Sequence, residues 1–364
     1  MPGVSAVTAP RSLVLGGTAF IGRQLVSHLL AAGHEVSLLN RGGSAAPAGV
    51  EALVADRKEP ASVRSVLQGR SWDMVFDVSA SVMVASLESI ADLVDALDGC
   101  CGIYVFVSSI GAYQLGNGAF PWTETRPTTR APATSYGGHK AAVERLLAER
   151  RATTGFAYSV LRPAAVYGPH DNIPDGEIAM FLRLGQGRPA LVPHAGLACF
   201  PYGHVADLAR ALLLAATIPA AVGEIFNLTH EAVTARHYVT AIADIMGREA
   251  EILEVPDEVL AEWKGPLPFN HRFQKALHAV LSIDKARRVL GFEPEFDFAA
   301  GHRQTYAWFL EQGLDRLERP LNDPIWNVSW DFSRETDLVA RLRAAGPRPR
   351  VRARVLSEAD MPQR

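Results

Sequence analysis

The chain has 364 residues, of which 48% are hydrophobic and 21% are charged, a composition typical of globular proteins. Its formal charge of -3 argues against a nucleic-acid partner, and its three cysteines, two of them adjacent at Cys100 and Cys101, exclude a disulfide framework and a spaced metal site. No apolar run approaches the ~20 residues of a membrane span, and the N-terminus lacks the pattern of a signal peptide. We therefore expect a cytoplasmic protein with no metal and no membrane partner.

The first half of the chain alternates short apolar strands with amphipathic helices. The strand-like runs are SLVLG (12–16), HEVSLLN (34–40), EALVAD (51–56), DMVFDVS (73–79), IYVFVSS (103–109) and AYSVLRP (157–163). Nearly unbroken apolar strands that alternate with helices indicate a parallel sheet covered on both faces. The predicted fold class is α/β, a doubly wound parallel sheet (Rossmann fold) with a smaller C-terminal substrate-binding lobe. Such a fold binds its ligands beyond the carboxyl ends of the strands.

After about residue 168 the pattern loosens into loop-rich segments between helices. These helices are predicted near residues 176–187, 204–217, 234–247, 282–290 and 299–312. The domains that we predict are a flexible N-terminus (1–11), a dinucleotide-binding domain (12–168), a lobe that mainly binds substrate (169–343) and a disordered, Pro- and Arg-rich tail (344–364). Segments at about 200–230 are expected to return to the large domain.

The stretch GGTAFIG, residues 16–22, joins the first strand to a helix, where free backbone N–H groups and the helix dipole favour an anion. Gly16 permits a tight turn, Gly22 lets the helix pack closely, and Ala19 adds only a methyl group near the expected pyrophosphate. Taken alone, the stretch also fits an ordinary strand-to-helix turn. The predicted dinucleotide contacts are Gly16, Thr18, Ala19, Phe20, Ile21 and Gly22.

The second strand ends at Asn40 and Arg41, where an acidic residue would bind the ribose 2′-hydroxyl of NAD. Without a carboxylate to repel a phosphate, and with a guanidinium that can bind one, the pair favours the 2′-phosphate of NADP. The alternative for Arg41 is a solvated loop arginine. We predict NADP as the cofactor, with NAD as the other possibility.

The segment SYGGHKAAVERLL, residues 135–147, carries the clearest chemical signal. Tyr136 and Lys140 are four residues apart on a predicted helix and therefore share one face. An ammonium close to a phenol stabilises the phenolate, which makes Tyr136 a usable general acid/base. Ser109 ends the fifth strand and is placed to hydrogen-bond the same substrate oxygen.

The ordered set LGGTAFIG, FVSSIGAY, YGGHK and LRPAAVYGPHD resembles the extended short-chain dehydrogenase/reductase superfamily, over roughly residues 12–310. This superfamily contains NAD(P)-dependent epimerases, dehydratases and reductases, typified by nucleotide-sugar enzymes. The resemblance implies that Tyr136 is the catalytic acid/base, that Lys140 lowers its pKa and holds the nicotinamide ribose, and that Ser109 polarises the reacting oxygen. It also implies a homodimer.

The resemblance implies further binding residues. The cofactor contacts that it adds are Asp56, Arg57, Ser79, Ala80, Pro163 and Val166. Tyr113, four residues after Ser109 as in epimerases and reductases, is implied as a substrate contact. Arg272 lies where family members carry an arginine that binds the substrate phosphate, and a surface arginine is the alternative.

Three departures from the family narrow the function. Ile110 and Gly111 replace the Asp-Glu pair of the sugar dehydratases, so no second acid/base remains for elimination of water. Ala165 replaces an asparagine that contacts the substrate diphosphate in nucleotide-sugar enzymes. The sequences GGTAFIG and NRGG resemble an atypical branch that includes chloroplast stem-loop RNA-binding proteins, several of which lack the Tyr/Lys pair.

The function predicted from the sequence is an NAD(P)-dependent epimerase or ketoreductase that acts at a secondary alcohol or ketone of a small molecule, with a nucleotide-activated sugar as the favoured substrate. The alternative is a non-catalytic dinucleotide-sensing or RNA-binding protein on the same fold. Retention of Ser109, Tyr136 and Lys140 favours the enzyme.

Overall fold

The computed structural model describes residues 8–116, 119–173, 176–264, 278–316 and 332–346. Its main sheet has seven parallel strands in the spatial order β10-β6-β5-β4-β1-β2-β3. They are β1 (Arg11–Leu15), β2 (Glu35–Asn40), β3 (Val50–Val54), β4 (Trp72–Asp77), β5 (Cys101–Val107), β6 (Tyr158–Pro163) and β10 (Ile225–Leu228).

Helices cover both faces of this sheet because its strands are apolar on both sides. One face packs against α1 (Phe20–Ala31), α6 (Val205–Thr217) and α9 (Asp284–Leu290). The other face packs against α2 (Pro60–Leu67), α3 (Leu87–Leu97) and α4 (Tyr136–Thr154). The doubly wound parallel sheet predicted from the sequence is therefore confirmed.

The strand order fixes where a ligand site can form. The chain runs from β1 to β2 and β3 on one side, and then returns to β4 on the other side of β1. This reversal opens a crevice at the carboxyl ends of β1 and β4, the usual ligand position in such sheets. The turns that follow these two strands and β5 all face this edge of the sheet.

The second lobe contains two small sheets and an aromatic-rich core. Its strands are β7 (Ala165–Tyr167), β8 (Ala190–Pro193), β9 (Cys199–His204), β11 (Glu231–Thr234) and β12 (Ile252–Val255). They pair in the orders β11-β9-β7 and β12-β8. Its helices are α5 (Glu177–Gly185), α7 (Ala235–Ile245), α8 (Asp257–Glu262), α10 (Phe298–Glu311) and α11 (Phe332–Ala345). Tyr202, Tyr238 and Phe298 pack together in the core of this lobe.

The helices predicted in the second half of the chain correspond to α5, α6, α7, α9 and α10, with ends shifted by a few residues. Within the predicted returning segment, β10 pairs with β6 of the main sheet. The domain division itself stays a prediction, and Arg11, placed in the flexible N-terminus by the sequence analysis, already belongs to β1.

Within the described ranges, every helix is too short or too polar to cross a membrane. The same residues contain no cluster of three His, Cys, Asp or Glu side chains that could hold a metal ion.

Candidate active site at the carboxyl edge of the sheet

The loop after β1 depends on two glycines. Gly16 has φ +93°, a left-handed conformation that favours glycine. A Cβ atom on Gly22 would overlap the carbonyl oxygen of Gly16, so the first turn of α1 lies directly against the backbone of the loop. The sequence thus folds residues 16–22 into a tight strand-to-helix connection, as the dinucleotide prediction requires.

The N-terminus of α1 fits the diphosphate of a dinucleotide. Ala19 is the N-cap residue and makes no side-chain capping bond, and the first turn contains no acidic residue. The backbone N–H groups of this turn therefore have no side-chain acceptor and carry the positive end of the helix dipole. Ala19 is exposed, Thr18 and Ile21 are partly exposed, and the Phe20 ring is buried.

The residues predicted to contact the adenosine end of the cofactor lie at the end of β2 and in the turn after β3. Asn40 ends β2 and its Oδ1 accepts a hydrogen bond from the Gly42 N–H at 2.7 Å, while Arg41 is exposed. Asp56 is partly exposed and its Oδ1 accepts from the Lys58 N–H at 3.0 Å. These side chains lie at the surface, where a cofactor could reach them.

The cofactor contact that the resemblance implies for Arg57 stays a prediction, and its side chain lies in the interior of the protein. Arg57 is only 6% exposed, and its guanidinium bonds both carboxylate oxygens of Asp77, at 2.7 and 2.6 Å. The side chain is directed into the protein because a buried carboxylate holds it there.

Ser109, Tyr136 and Lys140 are brought together by two elements. Ser109 follows β5, and its Oγ accepts a hydrogen bond from the Gly111 N–H at 3.0 Å. Tyr136 begins α4, whose N-cap Ser135 accepts from the Gly138 N–H at 3.2 Å. A Cβ atom on Gly111 would lie 3.3 Å from the Tyr136 ring and 3.4 Å from Ser109 Oγ, so both side chains border the same small space.

Tyr136 is 52% exposed. Desolvation raises the pKa of Tyr136 above its ordinary value, while a hydrogen bond with Ser109 acts in the opposite direction. The lowering of this pKa by Lys140, which the resemblance implies, stays a prediction. Lys140 Nζ lies 5.8 Å from the centroid of the Tyr136 ring and is bonded elsewhere.

Lys140 is buried one helical turn after Tyr136. Its Nζ donates to the carbonyl oxygens of Ala80, at 2.7 Å, and Val107, at 2.6 Å. Burial lowers the pKa of Lys140 to about 8, although the charge of Asp77 acts to raise it. The lysine is therefore anchored to the turn after β4 and to the end of β5.

The remaining cofactor residues lie at the ends of β4 and β6. Ser79 Oγ accepts from Arg57 Nη1 at 2.8 Å, and the carbonyl of the buried Ala80 accepts from Lys140. Pro163 ends β6, and Val166 lies in β7 immediately after it. Their positions along the carboxyl edge agree with a cofactor groove, and their contacts with a cofactor stay predictions.

The role in substrate binding predicted for Tyr113 does not fit its placement. Tyr113 is fully buried, and its hydroxyl donates to Oδ1 of Asn227 at 2.6 Å. The guanidinium of Arg162 lies 4.4 Å from the centroid of its ring. The side chain is thus committed to the core. Arg272, the other predicted substrate contact, lies outside the described residues.

Two buried ion pairs beside the site were missed by the sequence analysis. Besides Arg57–Asp77, Arg162 donates to Glu144 from Nε at 2.9 Å and from Nη2 at 2.5 Å. Ser108 Oγ also donates to Glu144, at 2.5 Å, so this pair lies next to Ser109 in the chain. A charged residue inside an apolar strand-like run, as Asp77 and Arg162 are, was the signal available, because such residues are rarely buried unpaired.

Three comparisons with known proteins bear on the family and the fold of this chain. A model of the NAD dependent epimerase/dehydratase family matches residues 12–229. The chain is 32% identical to the chloroplast stem-loop binding protein of 41 kDa b of Arabidopsis thaliana, over 86% of this chain and 83% of that protein.

Two further matches carry enzyme names. The chain is 26% identical to the 4-hydroxy-2-methyl-3-oxo-4-farnesyl-3,4-dihydroquinoline-1-oxide ketoreductase of Stigmatella aurantiaca, over 85% of this chain and 96% of that one. The solved UDP-glucose 4-epimerase of Thermus thermophilus, in complex with NAD, matches with a TM-score of 0.66 at 26% identity, over 82% of this chain and 99% of that one.

Proposed function

The chain belongs to the NAD-dependent epimerase/dehydratase family, a group of extended short-chain dehydrogenase/reductase enzymes, and we propose that it is an epimerase or ketoreductase acting at a secondary alcohol or ketone. The observation that carries this proposal is the arrangement of Ser109 and Tyr136 around the space beside Gly111, with Lys140 beneath. We propose a nucleotide-activated sugar as the substrate class.

The protein residues handle the proton and the reacting oxygen. In the reductive direction, the Tyr136 hydroxyl gives its proton to the substrate oxygen while Ser109 donates a hydrogen bond to the same oxygen. The positive charge of Lys140, one helical turn away, favours the phenolate that Tyr136 becomes. The nicotinamide cofactor, when bound, supplies or accepts the hydride at the substrate carbon.

The residues of the β1–α1 loop are suited to hold this cofactor. The tight backbone at Gly16 and Gly22 and the uncapped N-terminus of α1 favour its diphosphate. Arg41 is exposed where the 2′-phosphate of NADP is expected, and for this reason we propose NADP rather than NAD.

The surroundings of Tyr136 support oxidoreduction or epimerisation over elimination of water. Dehydration requires an additional acid/base beside the reacting carbon. Gly111, which lies next to Tyr136 and Ser109, has no side chain to supply one, and Ile110 is apolar. Among the described residues that border this space, Tyr136 is the one that we propose for proton transfer to the substrate oxygen.

Replacing the tyrosine tests the proposal. The dinucleotide and any ligand that co-purify are first identified by mass spectrometry, and turnover is followed by product analysis and by the ultraviolet absorbance of reduced nicotinamide. A reductase consumes the reduced cofactor in proportion to product, whereas an epimerase regenerates it within each turnover. Tyr136→Phe is expected to lower kcat by about 10²–10⁴-fold.

The matched control is Tyr306→Phe, which removes a hydroxyl from a tyrosine that packs on Phe309 in the second lobe. This variant is expected to keep the activity of the original protein. Full activity of Tyr136→Phe would overturn the proposed mechanism.

RNA binding is a second candidate function, and one finding favours it: the Arabidopsis relative is named a stem-loop binding protein. Titration of a fluorescently labelled RNA hairpin at several salt concentrations tests it. Salt-sensitive binding that is equal in the original protein and in Tyr136→Phe would support this function, because phosphate contacts do not need the catalytic hydroxyl.

A further inference from the structure

The turn that follows β4 is held by a buried carboxylate. Asp77 is completely buried, and its Oδ1 accepts the backbone N–H groups of Ser79, at 3.2 Å, and Ala80, at 3.0 Å. Its Oδ2 accepts from the Tyr104 hydroxyl at 2.5 Å. Arg57 donates to both oxygens, so every side of the carboxylate is bonded. This network fixes the backbone of residues 77–80.

The same turn touches both halves of the candidate active site. The Ala80 carbonyl accepts from Lys140 Nζ at 2.7 Å. On its other side, a Cβ atom on Gly16 would overlap Ser79 Cβ, so the dinucleotide loop packs directly against the turn. Arg57 Nη1 also donates to Ser79 Oγ, at 2.8 Å. A displacement of the turn would therefore move the lysine anchor and the loop together.

We propose that Arg57 and Asp77 are positioning residues for Lys140, which hold the turn that anchors the lysine and tie its position to that of the dinucleotide loop. This inference rests on the proposed function, in which Lys140 supports Tyr136. It gives Arg57 a role distinct from the cofactor contact that the resemblance implies. The two residues act through the lysine and touch no substrate.

The pair also sets the charge environment of the lysine. The groups that face Lys140 are Tyr136, His139 and Glu144 on its own helix, Asp77 on β4, Arg57 after β3, and the Phe106 ring, 4.8 Å from Nζ. Burial is the main cause that lowers the pKa of Lys140 to about 8. Asp77 and Glu144 act to raise this pKa, and Arg57 acts to lower it.

Because Arg57 and Asp77 act in opposite directions on the pKa of Lys140, replacing one or the other is expected to shift this pKa in opposite directions. Arg57→Gln leaves the carboxylate of Asp77 unopposed, and the pKa of Lys140 is expected to rise. Asp77→Asn leaves the guanidinium unopposed, and the same pKa is expected to fall. A purely structural pair would lower stability in both variants without this reversal of sign.

Lysine side-chain NMR measures the effect directly in the full-length protein. The chain has only five lysines, at positions 58, 140, 264, 275 and 285, so a sample labelled with ¹⁵N at lysine Nζ gives few signals. The Lys140 signal is identified by its loss in Lys140→Arg. We expect shifts of at least about half a pH unit, upward in Arg57→Gln and downward in Asp77→Asn.

Two further variants keep the test decisive. The double variant Arg57→Gln/Asp77→Asn removes both charges and retains hydrogen-bonding groups, so the pKa of its Lys140 is expected to lie between those of the two single variants. If one single variant does not fold, the double variant is compared with the other, and its Lys140 pKa is expected to be displaced in the direction predicted for the second substitution. Arg183→Gln breaks a buried ion pair of the second lobe and is expected to lower stability while the Lys140 titration stays in place.

Opposite shifts in the single variants support the proposal, and so does the expected displacement of the double variant from the one single variant that folds. An unchanged Lys140 titration in folded variants overturns it, as does a shift of the same sign in both. This measurement needs no substrate, so it is independent of the kinetic test on Tyr136→Phe. Full activity of that variant would remove the proposed function while leaving the titration result readable.

Discussion

The main sheet and the second lobe both bury arginine–carboxylate pairs, but the pairs have different neighbours. In the sheet, Asp77 also binds the turn that anchors Lys140, and Glu144 also binds Ser108, the residue before Ser109. In the lobe, Arg183 bonds both oxygens of Glu335 at 2.9 Å and joins α5 to α11.

A buried arginine–carboxylate pair can therefore either position a candidate active site or attach a helix. A buried ion pair adds little net stability, because the attraction is offset by desolvation, yet losing one partner is costly. Such a pair specifies geometry more than it stabilises the fold. In the sheet the specified geometry is that of the site, and in the lobe it is the attachment of a helix.

The largest effect is expected where the lobe pair is broken. Glu335→Ala leaves the buried guanidinium of Arg183 without its carboxylate and is expected to destabilise the protein by about 3–5 kcal/mol. The matched control is Glu251→Ala, which removes the half-exposed partner of Arg343, a residue on the same helix as Glu335. This variant is expected to lower the free energy of unfolding by less than about 1 kcal/mol. Urea unfolding measures both values.

The comparison further requires that dinucleotide affinity, measured in the folded Glu335→Ala protein, stays within about twofold of the original value. A large loss of affinity in that variant would show that the lobe pair also serves the site, and the distinction between the two regions would then be wrong.

The next effect concerns His204, which lies where the lobe meets α6. Its ring is buried against Phe296, and Nδ1 accepts from the Ala206 N–H at 3.3 Å, capping α6. Burial lowers the pKa of His204 to about 4 from its ordinary 6.5. In this pH range the unfolded chain therefore binds a proton at His204 that the folded protein does not bind. The free energy of unfolding consequently falls as the pH drops from about 6.5 to about 4.

The loss assigned to this histidine is on the order of 3 kcal/mol over that interval. His204→Asn retains a capping oxygen but does not titrate, so its stability should fall less on acidification. Urea unfolding of both proteins at pH 7 and near pH 4.5 gives the comparison. Equal losses in the two proteins would assign the acid sensitivity to other groups.

A smaller effect is expected from a single methyl group in the dinucleotide loop. In Gly22→Ala the added Cβ overlaps the carbonyl oxygen of Gly16, so the loop must shift. Gly185→Ala is the matched control, because its added Cβ meets open space at the end of α5. We expect Gly22→Ala to weaken dinucleotide binding by about 10–100-fold, since 1.4 kcal/mol corresponds to a factor of ten.

Fluorescence titration with NADPH measures this loss, and the control is expected to bind as tightly as the original protein. Equal affinities of the two variants would show that the close packing at Gly22 serves the fold and not the cofactor.

Sequence reasoning succeeded where the signal was local. Apolar strand-like runs predicted six of the seven strands of the main sheet, and the four-residue spacing of Tyr136 and Lys140 placed both residues on one face of α4. The loop glycines are likewise close in sequence, so their spacing was enough to predict a tight strand-to-helix connection. These features depend on neighbours within one or two turns of chain.

The ion pairs escaped because their partners are remote in sequence. Arg57 and Asp77 are 20 residues apart, and Arg183 and Glu335 are 152 apart, so no periodic pattern joins them. The burial of Tyr113 depends on Asn227, which is 114 residues away. The roles predicted for Arg57 and Tyr113 came from resemblance, and in both cases a buried partner of this chain takes up the side chain.

The smallest effect is expected at Arg41, whose exposed side chain contrasts with the buried arginines of both regions. An exposed guanidinium loses little hydration when it binds a phosphate, and salt screens the attraction between the two charges. Arg41→Ser is expected to weaken NADPH binding by about tenfold, or 1.4 kcal/mol, and to change NADH binding by less than about twofold. Arg64→Ser, which removes another exposed arginine, paired with Asp92, controls for the change in net charge.

Fluorescence titrations with both cofactors give the ratio of the NADPH and NADH affinities. An equal loss for the two cofactors would mean that Arg41 does not read the 2′-phosphate. Since Asn40 supplies no carboxylate to repel that phosphate, a preference for NADPH that survives in Arg41→Ser would place its origin in another residue of the groove.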